Sequence, residues 1–205
     1  MAQGRSPVAV EGAEPDGRVQ RGARNREAIL DAVVELVREG DLRPTAEQVA
    51  ERAGVGTRTV FRHFDDMEAL HAEVSQRVER ELAPILSEPP PAGSLRERAC
   101  ELVRRRSALY ERIAPFRRSG AVHRWRSEFL RRQHAAGVGM LRGDLRRALP
   151  ELERASSEVL EALDLVTSFE AWERLRTDQH LSRERTRATL ERAILALLEP
   201  MLRAP

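Results

Sequence analysis

At 205 residues the chain can bury one large core or two small ones, and a formal net charge of +2 leaves any electrostatic argument to local clusters. Aromatic residues make up only 4% against 33% charged, a balance that favours packed helices over a sheet. A single cysteine, Cys100, excludes an internal disulfide and a cysteine-rich zinc site, and every one of the 35 Lys+Arg positions is arginine, which reads as codon bias before function.

Residues 1–22 are rich in Gly, Pro, Ala and charge, lack periodicity, and are expected to form a disordered tail without the apolar run of a secretory leader. A first helix is expected from there to about Glu39, burying Ile29, Val33, Leu36 and Val37. Asp41 to Pro44 connects it to Thr45, which with Gln48 forms a capping box, so a second helix starts there. Val49, Ala50 and Ala53 give that helix its apolar face. Gly54 supplies the positive φ for a tight turn through Gly56. A third helix, Thr57 to His63, turns Val60 and Phe64 inward and leaves Thr57, Arg58 and Arg62 outward. Two short helices hinged at a glycine have the layout of a DNA-reading helix-turn-helix. A fourth helix is expected from Asp65 or Asp66, with Asp65 and Glu68 as a further capping box, to about Leu82, just ahead of Pro84. Beyond Pro89-Pro90-Pro91 four more helical segments are expected, at about 94–112, 120–148, 155–178 and 182–202. The fold class is therefore all-α.

From about Arg24 to Leu70 the chain resembles the TetR family of transcriptional regulators. The resemblance rests on Arg26-Glu-Ala-Ile-Leu-Asp-Ala, the hinged pair, the Phe61-Arg-His-Phe64 turn and Asp66-Met-Glu-Ala-Leu70; Trp172-Glu-Arg-Leu-Arg near the closing helix adds a weaker likeness. It implies a helix-turn-helix DNA-binding domain over residues 23–70 and a helical effector-binding and dimerisation domain over 71–205. The expected function is a repressor that binds a palindromic operator as a homodimer and is released by an unidentified small molecule. The implied DNA-binding residues are Arg24, Thr45, Thr57, Arg58, Thr59, Phe61, Arg62 and His63, with Thr57 and Arg58 at base edges and Thr45, Thr59 and His63 at phosphates. Three positions depart from the family pattern. Phe61 replaces a frequent tyrosine, Met67 a common lysine, and Gly56 a common serine cap; Arg52, Arg58 and the tail are expected to compensate.

Charge placement agrees. Residues 17–26 and 52–64 carry arginines and no acid, whereas Glu27 to Glu51 carries seven acids, expected to face away from phosphate. For the effector pocket the candidates are Tyr110, Phe116, Trp125, Phe129 and Met140, with plain core packing as the alternative. Gly137, Gly139 and Gly143 mark a helix crossing, a bend or a pocket wall. The apolar stripes Leu160, Leu163, Val166, Phe169 and Leu190, Ala193, Ile194, Leu197, Leu198 exceed what two helices need to cover one another. Leu163, Phe169, Ile194 and Leu197 are accordingly assigned to the dimer interface, with completion of one monomer's core as the alternative for either stripe alone. Residues 104–132 carry ten arginines against Glu111 and Glu128. Either they pair with the acid-rich 150–173 segment, or Arg112 or Arg126 turns inward to clamp an anion.

No phosphate-cradling glycine loop, HExxH, nucleophile elbow or metal-ligand cluster occurs, so no catalytic residue, metal or cofactor is expected. No segment approaches membrane-spanning length, and a cytoplasmic protein without membrane partners is expected. The rival reading is a helical adaptor that binds protein partners through the apolar stripes without effector gating.

Overall fold

The computed structural model describes residues 17–86 and 88–203, and all the regular structure among them is helical. The helices are α1 (Gly17–Arg38), α2 (Ala46–Arg52), α3 (Thr57–His63), α4 (Met67–Leu86), α5 (Leu95–His123), α6 (Glu128–Ala148), α7 (Ser157–Val166), α8 (Phe169–Glu173), α9 (Arg183–Leu197) and α10 (Glu199–Leu202). A 3₁₀ turn at Pro150–Arg154 follows α6, and a π turn at Arg174–Asp178 extends α8.

The hinged pair forms as its local chemistry dictates. The Thr45 hydroxyl accepts from the Gln48 N–H while the Gln48 side-chain oxygen accepts from the Thr45 N–H at 2.7 Å, so α2 begins at a reciprocal cap. Gly54 turns the chain at φ +65°, and α3 begins three residues later. Ile29, Val33 and Val37 of α1, Val49 of α2, Val60 and Phe64 around α3, and Leu70 and Val74 of α4 close over one another as the first core. Burying each such side chain contributes about 1.5–3 kcal/mol.

Several boundaries differ from the sequence reading. Helix α1 starts at Gly17, so residues 17–22 of the expected tail are helical; residues 1–16 lie outside the described residues. Asp66 rather than Asp65 caps α4, accepting from the Ala69 N–H at 2.7 Å. Helix α4 runs through Pro84, and α5 through Pro115, where a break had been expected between residues 112 and 120. Each proline removes one backbone donor, but the helix continues where flanking residues are packed, as Ala114 is. The break falls instead at residues 124–127, where Ser127 caps α6.

The second core lies between α5, α6, α7, α8 and α9. Tyr110, Phe169 and Trp172 form its aromatic centre, with ring centroids 5.6–5.9 Å apart. The Tyr110 hydroxyl donates to the Thr167 carbonyl at 2.7 Å, and burial pushes its pKa up to about 12. Arg106, 3% exposed, donates to the Thr167 hydroxyl at 2.6 Å and to the Leu141 carbonyl, so one guanidinium joins α5 to α6 and to the end of α7. The chain break after α7 is thereby fixed from below.

This core corrects the interface expectation. Leu163 and Ile194 are fully buried within the single chain, Phe169 nearly so, and Leu197 is half-buried against them. The α9 stripe packs against both the 29-residue α5 and α7, so much of it is covered within one chain. Leu165, 68% exposed, is the large apolar side chain that α7 leaves uncovered.

The acid-rich segment pairs with arginines on two helices. Arg117 meets Glu170 at 3.0 Å and Arg118 meets Glu173 at 2.7 Å, both from the arginine-rich stretch, while Arg142 of α6 takes Glu161 and Asp164. Neither Arg112 nor Arg126 turns inward. Arg112 is exposed, and Arg126 is exposed and stacks on the Trp125 ring at 4.2 Å.

Candidate nucleic-acid interface and cavity

Helix α3 presents its arginines as an unobstructed pair. Arg58 and Arg62 lie one turn apart on the same face, both exposed, and neither has an acidic partner among the described residues. Phe61 between them is 49% exposed, while Thr57 and Thr59 are half-buried. Gly56 provides no side-chain cap; its carbonyl accepts from the Thr59 N–H at 2.7 Å, and the Thr57 and Arg58 N–H groups at the start of α3 keep their capacity for an outside acceptor. Arg24, on α1, is exposed and has no acidic partner among the described residues. Thr45 has committed its backbone N–H to Gln48, but its O–H remains a donor.

His63 is set apart from the other contacts. Its Nε2 is buried without a partner, and burial, aided by the Arg62 and Arg26 cations, holds its pKa below the ordinary histidine value. A neutral ring with Nε2 inside leaves Nδ1 as the atom that can face phosphate.

What orients α3 was not visible in the sequence. Arg26 of α1 forms a two-pronged pair with Glu73 of α4 and places its guanidinium 5.0 Å from the Phe64 ring centroid. The end of the recognition helix is thus held between α1 and α4. The acids of α1 are likewise turned to internal use. Arg77 takes Asp31 at 2.6 Å and Glu27 at 3.5 Å, and Arg52 takes Glu39 at 2.7 Å and Glu35 at 3.3 Å.

Residues 29–74 match the sequence profile of "Bacterial regulatory proteins, tetR family". Over these residues, from α1 into α4, the chain is similar to the TetR family of regulatory proteins. The sequence matches no curated protein. Its fold is similar to that of a transcriptional regulator from Rhodococcus sp., at 21% identity and a TM-score of 0.64 over 87% of this chain and 96% of that one. It is also similar to a TetR transcriptional regulator from the same source, at 22% identity and TM-score 0.52 over 90% and 97%. A protein described as a transcriptional regulator from Streptomyces coelicolor A3(2) matches at 22% identity and TM-score 0.58 over 85% and 98%.

The sequence reading expects Arg52 to help offset the departures at Phe61 and Met67. Its guanidinium is engaged by two carboxylates of α1. Arg52→Ala is therefore expected to leave the salt slope of DNA binding unchanged, whereas Arg62→Ala lowers it by about one phosphate contact. Binding isotherms at several salt concentrations check this; a reduced slope for Arg52→Ala would return that residue to the DNA surface.

The cavity differs from the expected pocket. About 160 Å³ lies between α4, α5 and α6, bounded by Val78, Leu109, Ile113, Phe116, Leu130 and Met140 and edged by Arg117, Arg124 and His134. Of the five pocket candidates, Phe116 and Met140 line it. Tyr110 is core, Trp125 is 65% exposed beside Arg126, and Phe129 is exposed outside the cavity. Gly137 forms part of the wall, and α6 passes through all three of its glycines unbroken. Leu109, Ile113 and Phe116 form one stripe at i, i+4, i+7 on α5, which a break between 112 and 120 had concealed.

Proposed function

We propose that the protein is a repressor that binds a palindromic operator as a homodimer and releases it when a small molecule enters the cavity between α4, α5 and α6. The observation that carries the gating is the position of Phe116. Its ring lines the cavity and also packs on the core of the DNA-binding domain, with the Arg38 guanidinium of α1 5.7 Å from its centroid. Three residues on, the Ser119 hydroxyl donates to the Leu42 carbonyl in the connection between α1 and α2, at 3.0 Å. A ligand that displaces Phe116 acts on α1 directly, and through the Arg26–Glu73–Phe64 contact on the angle of α3. Two recognition helices are needed because one alone binds weakly, and a two-fold dimer sets them one helical turn of DNA apart. The uncovered Leu165 on α7 supports an interface on that outer face.

A gel-shift with the DNA upstream of the protein's own coding region tests the reading. A sequence-specific shift at a two-fold site, lost with a compound that raises the melting temperature of the protein, is the expected result. Specific binding by a monomer, or binding that no stabilising compound affects, would remove the dimer or the gating.

A further inference from the structure

The cavity is not chemically neutral, and its polar edge is uneven. Arg117 is already spoken for. Its guanidinium meets Glu170 at 3.0 Å and stacks over the Phe169 ring at 5.0 Å. Arg124, at the C-terminal end of α5, also lines the cavity, is half-buried, and has no carboxylate partner among the described residues. A half-hydrated guanidinium beside an apolar chamber is a planar fork of donors with no acceptor opposite it. His134 sits at the same edge. Burial first, then the Arg117 and Arg124 cations, hold its pKa below the ordinary value, so it offers a neutral ring to a ligand.

Among the described residues, the only carboxylate lining the chamber is Glu79 of α4, which is exposed. Solvent screens an exposed charge strongly and a half-buried one less, so the field inside the cavity follows Arg124. Apart from the neutral Ser75 and Gln133, the rest of the lining is apolar, with Phe116 and Phe169 supplying rings. A volume of about 160 Å³ compares with the roughly 150 Å³ apolar cavity that takes a benzene ring.

We propose that this cavity binds a small apolar carboxylic acid, one ring or a short chain in size, with its carboxylate on Arg124 and its body against Phe116. The inference rests on the effector-gated reading for its consequence and on the cavity alone for the ligand. The acid is held by a charge-assisted bidentate bond at the edge, and its hydrocarbon part replaces water along Ile113, Leu130 and Met140. Glu79 discourages a second negative charge at the mouth, which favours a monoanion over a dicarboxylate.

The test measures binding to the full chain by calorimetry, separately from DNA release. Benzoate, phenylacetate and hexanoate are compared with benzamide and phenylacetamide, and with benzylamine. At least one acid is expected to bind about tenfold or more tighter than its amide, a margin set by a charge-assisted hydrogen bond. Arg124→Gln is expected to erase that difference while leaving amide binding unchanged, and Glu79→Gln to leave acid binding intact or tighter. Absence of binding by all three acids at millimolar concentration overturns the proposal, as does equal binding of acid and amide. Preference for benzylamine that disappears in Glu79→Gln also overturns it, by making the cavity a cation site. Acids that bind through Arg124 without releasing operator DNA sustain the ligand assignment and remove the gating. A neutral compound that releases the operator while no acid binds does the reverse.

Discussion

Ile194→Asp is expected to abolish the cooperative fold, and Leu165→Asp to leave the fold intact while dissociating the proposed dimer. Both residues sit on apolar faces of helices in the C-terminal region, but their surroundings differ. Ile194 is fully buried, one turn from Leu190 and Leu198 on α9, in the core that Tyr110 and Trp172 fill. Removing its side chain costs about 2–5 kcal/mol, and leaving an unpaired carboxylate there adds several more. That sum approaches the roughly 5–15 kcal/mol by which a whole domain is stable. Leu165 is 68% exposed, so the same substitution costs the isolated chain little and falls on the face assigned to the partner. Circular dichroism melting and analytical ultracentrifugation on both variants separate the two effects. A folded Ile194→Asp monomer would restore α9 to the interface. A Leu165→Asp variant that still sediments as a dimer would move the interface off α7.

The exchange of roles between these residues shows where sequence was legible and where it was not. Residues that act on near neighbours could be read directly. The Thr45–Gln48 cap spans three positions, Gly54 acts through its own φ, and Val60 and Phe64 are four apart, so α2 and α3 followed from local rules. Periodicity also found the apolar stripes of α7 and α9, but periodicity is silent on what covers a stripe. For α9 the cover includes α5, a helix whose length had been underestimated by the break placed between residues 112 and 120. One misplaced boundary thus accounts for three errors. It left α9 looking bare, it divided the Leu109–Ile113–Phe116 stripe, and it moved the pocket toward Trp125 and Phe129. Distant pairs were beyond reach for a different reason. Arg26 and Glu73 are 47 residues apart, and nothing in a run of arginines says which of them a carboxylate will claim. Arg52 looked as available as Arg58, and only the position of α1 against α2 distinguishes them.

That distinction sharpens the expected behaviour of the recognition helix. Arg58 is the second residue of α3, exposed, with no acid to release before it meets DNA. An arginine so placed reaches base edges in the major groove, where its fork matches the two acceptors of guanine, and such a pair discriminates by about 1–3 kcal/mol. Because the proposed two-fold dimer would make the contact twice, Arg58→Ala is expected to cost about 2–6 kcal/mol on the preferred operator and far less on unrelated DNA. His63 should behave differently. Its ring is neutral and half-buried at the C-terminal end of α3, and its available nitrogen is Nδ1, so it contributes at most a positioning bond to a phosphate. His63→Ala is therefore expected to weaken every sequence by a similar, smaller factor and to leave operator preference unchanged. Competition binding with the operator and a scrambled duplex, at fixed salt, measures both quantities. If Arg58→Ala loses affinity equally for the two duplexes, Arg58 is a phosphate contact and the reading of bases passes to Thr57 and Arg62.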